Sequence, residues 1–203
     1  MTFAGFTQKD FDVFTIDGLE PKMSAIISSV RPKLEALGAE FVPLLSSLTG
    51  DSMFAHVAKH ARRKVHAPKD TWVAFSADKR GYKKHPHFQI GLWGTHIFIW
   101  FALINEAVDK PILAERLKAQ QGNWLGQLPS SVVWSTDHTK PDIIDTFDPE
   151  ILERLAHIKK AEMLCGMIIH SQQAIEKGLD ILKDIETTFT KIAPLYNIVL
   201  KND

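Results

Sequence analysis

A single cysteine, Cys165, stands among 203 residues, which excludes an intramolecular disulfide and any multi-cysteine metal site and suits a reducing compartment. No stretch approaches the roughly 20 apolar residues that a membrane-spanning helix needs. The longest apolar run, Ile97 to Ile104 (IFIWFALI), falls far short of that. The N-terminus, MTFAGFTQKDF, lacks the basic start and apolar run of a secretory signal, so a soluble cytoplasmic protein without membrane association is expected. There is no GxxxxGK[ST], no GxGxxG, no GxSxG and no HExxH, which excludes the common nucleotide and hydrolase signatures as local motifs, though not as chemistry. Net charge is absent too, with 24 basic residues set against 24 acidic ones. No internal repeat, low-complexity tract or linker interrupts the chain.

What is present is an ordinary globular composition, 45% hydrophobic and 24% charged. The length suits one domain over residues 1–203 with a substantial core. The balanced charge is sorted rather than spread. Between His56 and His87 stand Lys59, Arg62, Arg63, Lys64, Lys69, Lys79, Arg80, Lys83 and Lys84 against only Asp70 and Asp78, leaving 15 basic and 22 acidic residues elsewhere. Such sorting argues for an anionic partner and says nothing about fold.

Periodicity supplies the elements. Met23, Ile26, Ile27, Val30, Leu34 and Leu37, continued by Phe41, Leu44, Leu45 and Leu48, line one helical face. Pro32 and Pro43 predict a break into two or three pieces, stopped at Thr49-Gly50-Asp51. The period then changes. Residues 71–77 and 88–93 read as strands, Gly94-Thr95 as a hairpin into a doubly buried strand at 97–104, and 53–58 as a weaker strand. A helix is expected from Pro111 to Gln121, a strand from Val132, and a helix from the Asp148-Pro149 start. The segment 159–170 is ambiguous between helix and strand. An amphipathic helix from Ile175 through Ile192 is predicted to end at Pro194. Helices and antiparallel strands segregated in this way argue an α+β fold.

The blocks HVAKHARR, PKDTWVAF, KRGYKKHPHFQIG and DHTKP resemble the YktB-like family of uncharacterised bacterial proteins, and the resemblance runs over essentially the whole length. The resemblance implies an α+β domain on an antiparallel sheet, makes 159–170 a strand, and suggests a layout similar to the biotin-ligase and class II synthetase catalytic domains. It brings no activity with it, and fold-level analogy is a weak warrant for chemistry.

The basic loops 59–69 and 79–87 flank one strand, so Arg62, Arg63, Lys79 and Arg80 are expected to converge at one edge of the sheet. Guanidinium forks there match phosphate and carboxylate, and Tyr82 and Trp72 could stack a base. His60, His87, Asp137, His138 and Lys140 complete the candidate ligand-binding set. Two functions stay open. One is a binding domain for a phosphorylated or carboxylated small molecule, a nucleotide or nucleic acid. The other is an enzyme, either a nucleotide-using transferase or a metal-assisted hydrolase built on His85, His87 and His138. His85 and His87 would share a strand face about 6.6 Å apart. For Asp137 a turn or capping role competes with a catalytic one, and Cys165, in an apolar run, reads as a buried, inert thiol. Cofactor and oligomeric state are not legible.

Overall fold

The computed structural model describes residues 2–200. The chain runs through α1 (Gln8–Asp12), α2 (Leu19–Ala25), a π-turn (Ile26–Val30), α3 (Arg31–Thr49), β1 (Phe54–Val57), β2 (Asp70–Ser76), β3 (His87–Trp93), β4 (His96–Leu103), α4 (Lys110–Ala119), α5 (Gln121–Leu125), β5 (Val133–Ser135), α6 (Glu150–His157), β6 (Met163–His170), α7 (Ser171–Lys177) and α8 (Ile181–Leu200). The six strands form one sheet in the order β1-β2-β3-β4-β6-β5 with every pairing antiparallel. The fold is α+β, as expected, and the segment beginning at 159 supplies a central strand, β6.

Successive residues of a strand point to opposite sides, and the two sides of this sheet differ in kind. One side carries Val73, Phe75, Phe88, Ile90, Leu92, Ile97, Ile99, Phe101 and Cys165, all fully buried in the main core with residues of α3 and α8. Gly38 lets α3 come close to β1, because a Cβ there would sit 3.0 Å from the Ala55 Cβ. The centre of the core is aromatic. The Phe189 ring meets Phe41, Phe75 and Phe88 edge to face at 5.6, 5.8 and 5.6 Å, and Tyr196 stacks on Phe88 at 5.6 Å, the geometries that ring quadrupoles favour.

The opposite side holds a separate cluster of Trp93, Phe98, Trp100, Ala102 and Leu164, with Trp72, Val133 and Ile143 at its margin, and no helix residue belongs to it. Between these apolar groups stand the polar residues Asp70, His87, Gln89 and His96, all buried. Gly91 makes room for the Phe98 ring, whose Cζ would lie 2.1 Å from any Cβ placed there. Loops rather than helices close this side.

Three helix expectations need correction. The backbone stays helical from Leu19 to Thr49, changing only its hydrogen-bond pattern at the π-turn. Pro32 falls in the first turn of α3 and Pro43 inside it, and α3 ends at Gly50, whose φ of 76° forms the left-handed cap. Pro194 likewise lies inside α8, which continues to Leu200. Both prolines are exposed, so the carbonyls they leave without donors can turn to water while the apolar face stays packed. The expected helix at 175–192 is two, because Gly178 with φ of 53° breaks the chain between α7 and α8 and leaves Leu179 57% exposed. Ile27 is also exposed, on the outside of the π-turn. Among the described residues no helix is long and apolar enough to cross a membrane.

Candidate functional site

On the side of the sheet that lacks helices, register brings distant residues into rows. His56, Ala74, Gln89, Trp100, Gly166 and Val133 are consecutive cross-strand partners, and Ser76, His87, Ala102, Leu164 and Ser135 lie in the neighbouring row on the same face. The loops 58–69, 77–86 and 136–145 stand around this face.

The first two of these loops enclose a cleft of about 560 Å³, lined by Arg62, Arg80, Lys83 and Lys84 around Tyr82, His56 and His85. That volume is in the range of small-molecule sites. The acids near it are already engaged. Asp78 accepts the Arg80 backbone N–H at 2.8 Å and lies 3.2 Å from His85 Nε2, and the Arg80 bond above all holds its carboxyl below the usual range. Lys83 pairs with Glu106 at 2.9 Å. Arg62 and Lys84 have no side-chain partner among the described residues.

The floor of the cleft is built from aromatic rings. Tyr82 packs edge to face on His87 at 4.9 Å and tilts against His56 at 5.9 Å, while the Trp72 indole N–H donates to the Tyr82 hydroxyl at 3.0 Å. His87 is fully buried beneath it. Its Nδ1 lies 2.8 Å from the His85 carbonyl, which can only accept, so Nδ1 carries the proton and Nε2 accepts from the Gln89 amide at 2.8 Å. Burial pushes this imidazole down to about 4, so it is neutral. His87 therefore supports the floor and does not face the cleft.

The remaining candidates divide between two places. His60, in a left-handed backbone conformation with φ of 51°, lies 3.0 Å from the Thr71 hydroxyl and packs edge to face on Trp72. Burial, aided by Arg63 and Arg31, lowers it to about 4. Lys79 is exposed and lines neither cavity. Arg63 faces a second cavity of about 280 Å³ that it shares with Lys69, Asp70, Trp72, His138 and Thr139. Asp137 makes the turn it was expected to make, accepting the Thr139 backbone N–H at 2.9 Å and hydroxyl at 2.6 Å and pairing with Lys140 at 3.1 Å.

His138 pairs with Glu162, which sequence reasoning missed. Its Nδ1 lies 2.8 Å from both carboxylate oxygens, and its backbone N–H donates to the same group at 2.8 Å. Asn105 N–H adds a fourth contact to Glu162 at 2.9 Å. Burial alone would lower the imidazole, but the Glu162 hydrogen bond and charge outweigh it and leave His138 above its ordinary value. Glu162 is held below the carboxylate range, burial being outweighed by its bonds to His138. Asp137, His138 and Glu162 are the one group among the described residues whose ligand atoms lie within 4.8 Å of one another. Nδ1 of His138 is engaged by Glu162, so in its present form the ring offers no lone pair there for a metal. His85, His87 and His138 do not converge: His85 turns to Asp78, His87 to Gln89 and His138 to Glu162. Cys165 is buried, and burial raises its thiol well above the usual value.

Comparisons with known proteins agree on one family. The model of a domain of unknown function, DUF1054, matches residues 6–196. A UPF0637 protein of Bacillus velezensis is 49% identical over 99% of this chain and 99% of its own length. One from Bacillus licheniformis is 48% identical over 99% of each, and one from Bacillus mycoides 50% over 97% of this chain and 98% of its own. With relatives matched over nearly their full length, the chain belongs to the DUF1054 family of bacterial proteins.

Proposed function

We propose that the protein binds a small anionic ligand bearing phosphate or carboxylate in the cleft between loops 58–69 and 77–86. The observation that carries this reading is the pair of uncompensated cations, Arg62 and Lys84, that stand on separate loops yet line one concavity with Arg80 and Lys83. Four cations against the one acid of the lining, Asp78, leave an excess of like charge that repels, and an anion relieves that repulsion. A guanidinium fork suits phosphate or carboxylate oxygens, while Tyr82 and His56 offer ring faces to a planar group.

The test is calorimetric titration with inorganic pyrophosphate, AMP and citrate, with thermal shift alongside. A ligand at 100 times its Kd adds about 2.7 kcal/mol, which raises the Tm of a chain this size by about 5 to 10 °C. Arg62→Ala with Arg80→Ala should weaken binding at least 10-fold, since a charge-assisted bond contributes about 1.5 to 3 kcal/mol. Oligonucleotide binding with a salt slope of about 0.7 to 0.9 per phosphate would move the reading from small molecule to nucleic acid. Absence of binding by all three probes and by oligonucleotides at low salt defeats it.

A further inference from the structure

The second cavity carries a different arrangement from the cleft. Asp70 heads β2 and His138 follows β5, far apart in the chain, yet both line the same space with Arg63, Lys69 and Trp72. Glu162 grips His138 by its backbone N–H and by Nδ1, which fixes the ring and leaves Nε2 with no partner among the described residues. Asp70 is 8% exposed and its carboxylate has no side-chain hydrogen-bond partner among the described residues. A carboxylate so placed costs stability unless something else requires it.

We propose that Asp70 and His138 form an acid–base pair that hydrolyses a phosphate monoester seated in this cavity, with Glu162 as the residue that positions His138. Arg63 and Lys69 hold the phosphoryl oxygens, and the Trp72 indole borders the alcohol portion. A water oxygen bonds to phosphorus as the Asp70 carboxylate takes its proton. The ester P–O bond breaks, and the Nε2 proton of the His138 imidazolium passes to the departing alkoxide. The products are an alcohol and inorganic phosphate. Proton transfer from Asp70 back to His138 through water restores both groups. Asp70 and His138 act electrostatically on each other; Arg63 acts further on Asp70, and Glu162, Glu106, Lys83 and His87 interact further with His138. Burial lifts Asp70 to about 6 despite His138 and Arg63, which suits a base working near neutral pH.

The inference does not depend on occupancy of the cleft, and its test is separate. The full chain is assayed with p-nitrophenyl phosphate in metal-chelated buffer. Turnover above the buffer blank is expected, falling at least 100-fold in His138→Gln and in Asp70→Asn. Asp70→Asn removes a buried charge, so its Tm at pH 7 should rise, which separates lost chemistry from lost fold. Glu162→Gln should move the alkaline limb of the pH profile to lower pH, a change that a merely structural role does not produce. The NMR titration of the His138 ring should move in the same direction. The exposed His157→Gln serves as an unaffected control. No turnover by the wild type, turnover kept within threefold in either catalytic variant, or turnover that appears only with an added divalent metal overturns the proposal.

Discussion

Phe189→Ala is expected to cost about 3 to 5 kcal/mol, the range for removing a buried aromatic ring, which is a large share of the stability of a typical domain. Phe189 is fully buried where α8 crosses the sheet, and its ring is the common partner of Phe41, Phe75 and Phe88. Those neighbours belong to α3, β2 and β3, so they cannot close over the void without shifting elements that the antiparallel ladder fixes. Leu179→Ala, on the exposed turn before α8, should change stability by less than about 0.5 kcal/mol. Urea unfolding separates the two: the Phe189 midpoint should drop sharply with an unchanged slope. A loss below about 1.5 kcal/mol would mean that the aromatic cluster is not the keystone of the core.

Acid should unfold the protein through its buried imidazoles. His87 is neutral and fully buried in the fold, with burial lowering it to about 4, whereas the unfolded chain titrates it near 6.5. A folded-state value below the unfolded one gives stability that is complete above about 6.5 and is lost as pH falls through about 4. For His87 the loss is about 3 kcal/mol at roughly 1.4 kcal/mol per pH unit. His60 and His96, both lowered to about 4 by burial, act in the same direction. Asp70 acts in the opposite one. Its folded value of about 6 lies above the unfolded 3.8, so its contribution is present at low pH and is lost as pH rises through about 6. His138, raised in the fold, keeps its contribution throughout this acid window. Three histidines against one aspartate predict a net fall between pH 6.5 and 4. The slope of unfolding free energy against pH should flatten by about one proton in His87→Gln. An unchanged slope would place the acid sensitivity elsewhere.

How much of this was legible in the sequence divides along a physical line. Strands with both sides buried declare themselves by composition, as in IFIWFALI, and the charge sorting of residues 56–87 marks the cleft loops because both are local properties. The prolines misled because an intrahelical proline costs least where its freed carbonyl meets water, and exposure at Pro43 and Pro194 cannot be read from the residue itself. A histidine near lysines reads as exposed, yet strand alternation puts His87 under Tyr82. Glu162 and Asp70 escaped for a different reason. Glu162 heads an apolar strand, Asp70 stands among basic residues, and their meeting with His138 follows from sheet order, which pairs β6 with both β4 and β5 and sends the loop after β5 back over the sheet. No local signal in the sequence carries that. Their only trace was an acid where an apolar or basic neighbour was the rule.

The zigzag of β3 ties cohesion to chemistry more tightly than either would require alone. Phe88 and Ile90 turn towards the helices while His87 and Gln89 turn towards the loops, so inserting one residue would exchange the two sets and turn the wall inside out. Length is therefore frozen in the strands, whereas the loops that frame the cavities can lengthen or shorten at little energetic cost. Insertions and deletions therefore have their natural outlet there, at the rim, above a scaffold that tolerates no slippage.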